Sequence, residues 1–421
     1  MSCEGESRQL QLLFSWGANS YGQLGLGSSN DELLPQPVTH FPDNKRVITC
    51  ITGGGGHSAA VTDAGELYVC GQNKDGQLGL NHTDNVPHFS FCSALRSIRV
   101  SKVSCGWDFT LILTDNGQVL SCGSNAFSQL GIPQVKSCSV PEPVQTLHEK
   151  VTDVAAGLRH TLALTESGQI YQWGLGMASH AKRFSCGNPI SPFFTAKEPC
   201  QIPGLANIRG KKVIAGSYHS VALTDLGELY VWGSNKHGQL LQKEPFGLQP
   251  QKIKSHFFLE EMIQSAWSGW THLIAQTETG KVFTWGRSDY GQLGRKSVQD
   301  ESDREEVLLQ EYCTEKSLKP PACIQCLTGA QQIACGSEHN LALCGNAVFS
   351  WGWNEHGMCG NGSETNVEIP TQVNVPLSAA VKLIACGAGH SMICVTPALR
   401  TGLCPRVRMY RSFLSAKLPS E

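Results

Sequence analysis

The sequence predicts an all-β fold: a seven-bladed β-propeller of four-stranded blades, its ring closed by pairing the first repeat segment with the last. Three observations carry that expectation. A Trp-Gly-x-Asn-x-x-Gly-Gln-Leu-Gly motif, whole or degenerate, recurs seven times at intervals of 51 to 66 residues. A Gly-x-x-His motif precedes each later copy, and the two series are offset by one at the chain ends. Self-similarity at a fixed period of this length marks a repeat architecture.

In chain order, the first motif runs from Trp16 to Gly25 and again, with Cys for Trp, from Cys70 to Gly79 and Cys122 to Gly131. Only Trp173-Gly174 survives of the next copy. The following one starts at Trp232 and ends in Leu241 instead of Gly. Trp285 to Gly294 carries Ser288 at the Asn position, and Trp351 to Gly360 carries Met358-Cys359 for Gln-Leu. The Gly-x-x-His copies end at His57, His160, His219, His272, His339 and His390, with Phe109 in the remaining place. The first Trp-Gly has no Gly-x-x-His before it, and the last Gly-x-x-His has no Trp-Gly after it. Joining the two ends completes the seventh unit, which a closed ring explains and an open solenoid does not.

Within a unit the pattern predicts short strands. In residues 100–123, Val103 to Cys105, Thr110 to Thr114 and Gln118 to Cys122 alternate as strands, and Asp115-Asn116-Gly117 is a tight-turn signal because Asn-Gly tolerates positive φ. Asp63-Ala64-Gly65, Glu166-Ser167-Gly168, Asp225-Leu226-Gly227 and Glu278-Thr279-Gly280 repeat it. A fourth strand follows, typically with Pro, as in Val140-Pro141-Glu142-Pro143-Val144; Pro lacks the ladder N–H and belongs on an edge. Four strands per unit in a ring of seven make a propeller. The expected organisation is an N-terminal extension at 1–11, a propeller over 12–396 and a basic C-terminal tail at 397–421. The charged run Gln299 to Glu306 places an exposed irregular insertion at about 295–331, and a milder one is expected at 175–210.

Composition bounds the function. Charged residues are only 16%, and 33 Lys+Arg against 35 Asp+Glu leave a net charge of −2, so neither disorder nor a nucleic-acid partner is implied. No apolar run reaches the length of a membrane span, and the N-terminus has no basic and apolar leader pattern. Several of the 18 cysteines alternate with apolar residues in strand-like runs, as in Val103 to Cys105 and Leu120 to Cys122, which fits small core hydrophobes in a reduced compartment. The expectation is an intracellular protein, cytoplasmic and also nuclear, with no cofactor and no metal. Cys323-Ile324-Gln325-Cys326 lacks the second pair that a structural zinc site wants. Gly53 to Gly56 is not a phosphate cradle, since no Lys-Ser/Thr follows it.

The two motifs, their order and their spacing, together with the strings Ile51 to Ser58, Cys105 to Thr110 and Trp351 to Gly357, resemble the regulator of chromosome condensation repeat family over residues 12–396. The resemblance implies a seven-bladed propeller and guanine nucleotide exchange on a small Ras-like GTPase, with no covalent chemistry and no catalytic triad. For the branch these strings resemble, it further implies a role in regulating protein secretion and an exocyst subunit as a partner. The founding member lines its GTPase-facing surface with His and Asp from the Gly-x-x-His turns. Carried over by position, His390 matches best, then His57, His272 and His339, with Asp108 and Glu338 supplying acidic groups beside the repeat His. Trp107 and Trp270 follow the turn glycine, where exposed aromatics mark a partner-binding spot. Asp75, in the loop before Gly76, is expected on the opposite face. Two plainer alternatives stand beside this. A His fixed in every repeat commonly satisfies buried groups between blades, and a propeller of this kind also serves as a non-catalytic scaffold that binds partner proteins.

Overall fold

The computed structural model describes residues 11–42, 46–295, 320–375 and 379–397. They form seven four-stranded antiparallel sheets. Six blades follow the chain: blade 1 (48–91), blade 2 (100–143), blade 3 (151–201), blade 4 (210–252), blade 5 (263–323) and blade 6 (332–372). Blade 7 takes its two inner strands, Ala379–Cys386 and His390–Pro397, from the C-terminal end and its two outer ones, Leu12–Gly17 and Glu32–Pro37, from the N-terminal end. The closing pair runs in unbroken register from Leu12 opposite Val395 to Gly17 opposite His390. The seven blades and the closed ring are as the offset motifs require.

Each blade grades from apolar to wet. The second strand is buried throughout, as in His57–Thr62 and Phe109–Thr114. Fourth strands such as Ser137–Pro143 and Val367–Gln372 are half exposed and carry Pro, at the ladder edge where a missing N–H costs nothing. Between second and third strands the tight turn closes on glycine. Gly117 sits at φ +84°, and a Cβ there would meet Lys150 Cβ at 2.9 Å.

The repeat tryptophans are the joints between blades. Trp16, Trp173, Trp285 and Trp351 are fully buried, and each indole Nε1 donates to a carbonyl of the preceding blade's Gln-Leu loop: Met358, Gln129, Gln239 and Gln292, at 2.9–3.0 Å. Where Cys replaces Trp the bond persists, from Cys70 Sγ to the Gln23 carbonyl and from Cys122 Sγ to that of Gln77, both at 3.5 Å. Where blade 3 has lost its Gln-Leu loop, Trp232 donates instead to Gln172 Oε1 at 2.7 Å. The motif's Asn and Gln hold the loop itself. Asn73 Oδ1 accepts from Leu78 N at 3.0 Å, Asn73 Nδ2 donates to the His82 and Asp84 carbonyls, and Gln77 Oε1 accepts from Asp75 N.

Two expectations change. The insertion expected over 295–331 is narrower: Ala322–Cys323 is the fourth strand of blade 5, pairing Phe283 with Cys323, and Ile324 and Leu327 are buried behind it. Residues 296–319, with the charged run, lie outside the described residues, as do 1–10 and the basic tail from 398. The segment after Gly174, expected as a milder insertion over 175–210, holds a short helix, α1 (Ala178–Phe184), with Phe193 and Phe194 buried beneath it.

Candidate functional site

The turn between the first two strands of every blade and the loop after the third lie at the same end of the ring. One surface therefore carries both motifs. At its centre is a channel mouth of about 170 Å³, lined by turn residues such as Gly54, Gly106, Gly216 and Gly336. Backbone bonds run from blade to blade around it: Ser217 N to the Trp270 carbonyl, Trp270 N to that of Ser337, Ser337 N to Ala388, Ala388 N to Gly54, and Gly55 N to Gly106.

The six repeat histidines lie beneath this rim, all fully buried. Each Nε2 reaches a polar side chain of the next blade: His57 to Thr110, His160 to Ser220, His219 to Ser268, His272 to Asn340, His339 to Ser391 and His390 to Ser58, at 2.7–3.1 Å. Ser58, Thr110 and Ser391 already donate their hydroxyl to a loop carbonyl, so each accepts from imidazole Nε2–H. That fixes the neutral tautomer with Nδ1 bare, against the turn glycine. A Cβ on Gly387 would sit 2.0 Å from His390 Cε1, which is why Gly and His recur together. Burial lowers the pKa of His57, His219 and His339 to about 3 and of His160 and His390 to about 4. Thus His57, His339 and His390 tie blade to blade and present no atom to a docked partner. For them the structure favours the plainer reading over the carried-over one.

His272 and Glu338 form a buried pair. Burial opposes charge on His272, but Cys335 and Glu338 outweigh it and raise its pKa to about 10. Glu338 Oε2 stands 3.6 Å from His272 Nδ1 and accepts from Gln292 Nε2 at 2.8 Å, while its Oε1 accepts from Thr271 Oγ1 at 2.5 Å. Burial raises the Glu338 pKa, yet His272 and these donors bring it below its usual value. With its side chain 7% exposed, Glu338 is structural in its contacts, contrary to an open acidic role.

Asp108 and the tryptophans are the accessible part. Asp108 is half-buried and its Oδ1 accepts from Gln129 Nε2 at 3.3 Å. Desolvation, with Asp75 adding, raises its pKa. Asp75 therefore lies on the same surface as Asp108 and not on the opposite one. The chain leaves the third strand at the Gly-x-x-His end, so every Asn-x-x-Gly-Gln loop belongs to that face. Trp107, 39% exposed, from blade 2 and Trp270 from blade 5 meet across the mouth, ring centroids 5.3 Å apart at 60°.

Around them stands a second set that the sequence reading missed. Tyr21, Phe127 and Tyr290 occupy the position two before the loop Gln, whose Oε1 accepts their N–H, and so project on the same face. Arg159 caps Phe127 with its guanidinium 4.2 Å from the ring, and Arg287 caps Tyr290 at 4.7 Å. Trp353 lies 6.3 Å from Tyr290. The signal was available: that loop position is aromatic or His in five copies (Tyr21, Phe127, His237, Tyr290, His356). This surface borders the channel mouth. It offers aromatic anchors, two arginines and carboxylates in a partly desolvated patch, which is the composition of a protein-docking site.

A family model described as RCC1-like domain matches residues 12–393. A curated protein of Mus musculus, "Secretion-regulating guanine nucleotide exchange factor", is 53% identical over 405 residues, spanning 94% of this chain and 87% of that one. Its namesake from Bos taurus is 54% identical over 393 residues, spanning 92% and 84%. Among solved structures, Prp20p from Saccharomyces cerevisiae, reported with its binding properties to Gsp1p and histones, superposes with a TM-score of 0.76 at 23% identity, over 98% of this chain and 96% of that one.

Proposed function

Because this chain belongs to the RCC1-like domain family, we infer that it is a guanine nucleotide exchange factor for a small Ras-like GTPase, linked to the regulation of protein secretion. Relatives more than half identical over most of their length bear that name, which supports the activity. The docking face is the Gly-x-x-His end of the ring, and the observation that carries it is the Trp107–Trp270 pair spanning the channel mouth beside half-exposed Asp108. Exchange transfers no group. It requires that a bound magnesium ion and the phosphates lose their hold, and a carboxylate presented at a GTPase interface draws a partner lysine away from the phosphates it holds. Aromatic anchors supply the binding free energy that offsets the cost of opening the nucleotide site. The interblade histidines act indirectly, by keeping the turns that carry Trp107, Asp108 and Trp270 in register.

We infer further that this protein's partner in secretion is an exocyst subunit and that the protein works in the cytoplasm and the nucleus. No helix among the described residues is long and apolar enough to cross a membrane. The test is release of labelled GDP from a panel of purified small GTPases. Acceleration of at least one is expected. Should the protein bind GTPases or other partners while accelerating none, the scaffold reading replaces exchange.

A further inference from the structure

The repeat fails in two neighbouring places, and both failures border one cleft. Blade 3 lacks the Asn-x-x-Gly-Gln-Leu-Gly loop and carries α1 in its place. Blade 4 keeps the loop to Leu240, then has Leu241 where Gly stands elsewhere. Leu241 holds φ +52°, a left-handed conformation that a branched side chain adopts only under constraint. Between them opens a cleft of about 710 Å³, reaching from α1 across Tyr218 to Trp270 and Thr271. That volume lies within the range of ligand sites.

The walls are aromatic. His180 packs 5.2 Å from Tyr218 and stacks on Phe246, which Phe184 also stacks against at 6.0 Å. The rim is cationic: Arg183, Lys236 and Lys243 are exposed, make no ion pair among the described residues, and no carboxylate joins the lining. Inside, Gln242 Nε2 and Oε1 and His180 Nδ1 are shielded from solvent and have no hydrogen-bond partner. Buried amide atoms without partners are costly and uncommon, so a ligand that bonds them gains more than the bond alone.

We propose that this cleft between blades 3 and 4 is a docking site for an acidic peptide segment of a partner protein, one that brings an aromatic side chain into the Tyr218–Phe246 wall and backbone groups to Gln242. Three exposed cations, each weak alone, recognise several spaced negative charges better than one compact anion. An extended backbone supplies the paired donor and acceptor that an orphaned carboxamide needs. Trp270 and the 236–239 loop belong both to the cleft and to the Gly-x-x-His end of the ring, so the site opens at the margin of the GTPase-docking face, and a second partner bound here would sit beside the GTPase. The site does not depend on the exchange reading.

The test uses the full chain and a fluorescent short peptide of alternating Asp and Glu with one central Phe, followed by anisotropy. Binding is expected, weakened about tenfold or more by the combined Arg183→Glu, Lys236→Glu and Lys243→Glu variant and by Phe→Ala in the peptide. Reversal of Lys150, Lys211 and Lys382 should leave it unchanged, and the thermal melt of each variant verifies folding. Absence of binding overturns the proposal. So does an equal loss in both charge-reversal variants, which would mean unspecific attraction, or indifference to the Phe with full competition by inorganic phosphate, which would mean a simple anion site. GDP release plays no part in the readout, so failure here leaves the exchange reading standing.

Discussion

His57, His160, His219, His339 and His390 are buried as neutral donors, and that choice has a price in acid. Their folded pKa values of about 3 to 4 lie below the ordinary value near 6.5, so the unfolded chain binds more protons at mild acidity. Their contribution is whole above about pH 6.5 and drains away as the pH falls, by about 2 kcal/mol for each histidine near pH 5. His272 behaves oppositely: raised to about 10 beside Glu338, it stabilises fully below about pH 6.5 and loses that contribution as the pH rises toward 10. Denaturant melts across pH should show stability falling steeply below neutrality, and His272→Asn should flatten the alkaline side alone. A flat acid limb would mean that the five are not neutral donors. The same burial sorts the interface residues. Asp108→Ala should slow the GDP release that this protein stimulates from the GTPase at least tenfold, about 1.4 kcal/mol, with an unchanged melt. Trp107→Ala should weaken GTPase binding by about 2 kcal/mol or more. Glu338→Ala should instead lower the melting temperature, since it strands Gln292, Thr271 and a charged His272. Glu278→Ala, in an exposed turn at the far end, should do nothing to exchange.

The blade as a unit was legible in the sequence wherever a residue type answers a single physical demand. Gly-x-x-His is such a case, because only Gly leaves room for the imidazole ring and Nε2–H reaches a polar side chain of the next blade. Asn-x-x-Gly-Gln-Leu-Gly is another, because Asn and Gln satisfy the loop backbone. What was missed had no such marker. Asp75 was placed on the wrong end because alternation of ends follows from counting strands, which no single motif displays. Helix α1 has only seven residues and no side-chain cap, and its one fully buried residue, Ala181, leaves no apolar stripe to read. The two-residue strand Ala322–Cys323 hides behind Pro320-Pro321, which read as loop. That strand sets the limits of a deletion. Arg295 Nη2 donates to the Pro320 carbonyl at 2.8 Å, so the two ends of residues 296–319 already meet. Replacing 296–319 by a short Gly/Ser bridge should leave the melting temperature within a degree or so, whereas a cut extended through Cys323 should lower it markedly.

At the scale of the whole ring, stability hangs on a joint made by two distant parts of the chain. Removing residues 1–17 deletes the strand that covers His390–Pro397, the buried Trp16 and its bond to the Met358 carbonyl. Loss of a fully buried Trp alone costs about 3–5 kcal/mol, and a bared strand edge invites association. The truncated protein should aggregate on gel filtration or melt far below the parent, and an unaltered melt would refute closure by this pair. The same joint has a consequence for biosynthesis. Trp16 and its acceptor are 342 residues apart, and a ribosome adding roughly 5–20 residues per second needs about 17–70 s to cover that interval. For that time Leu12 to Trp16, the most apolar stretch near the start, has only Glu32–Pro37 to pair with, and its inner edge and the Trp16 indole stay bare while blades 1 to 6 emerge behind it. The strand made first is docked last. A nascent chain of this design therefore calls for a chaperone at its amino end until translation is nearly complete, and stalled chains ending before His390 should be found in chaperone complexes that the finished ring never enters.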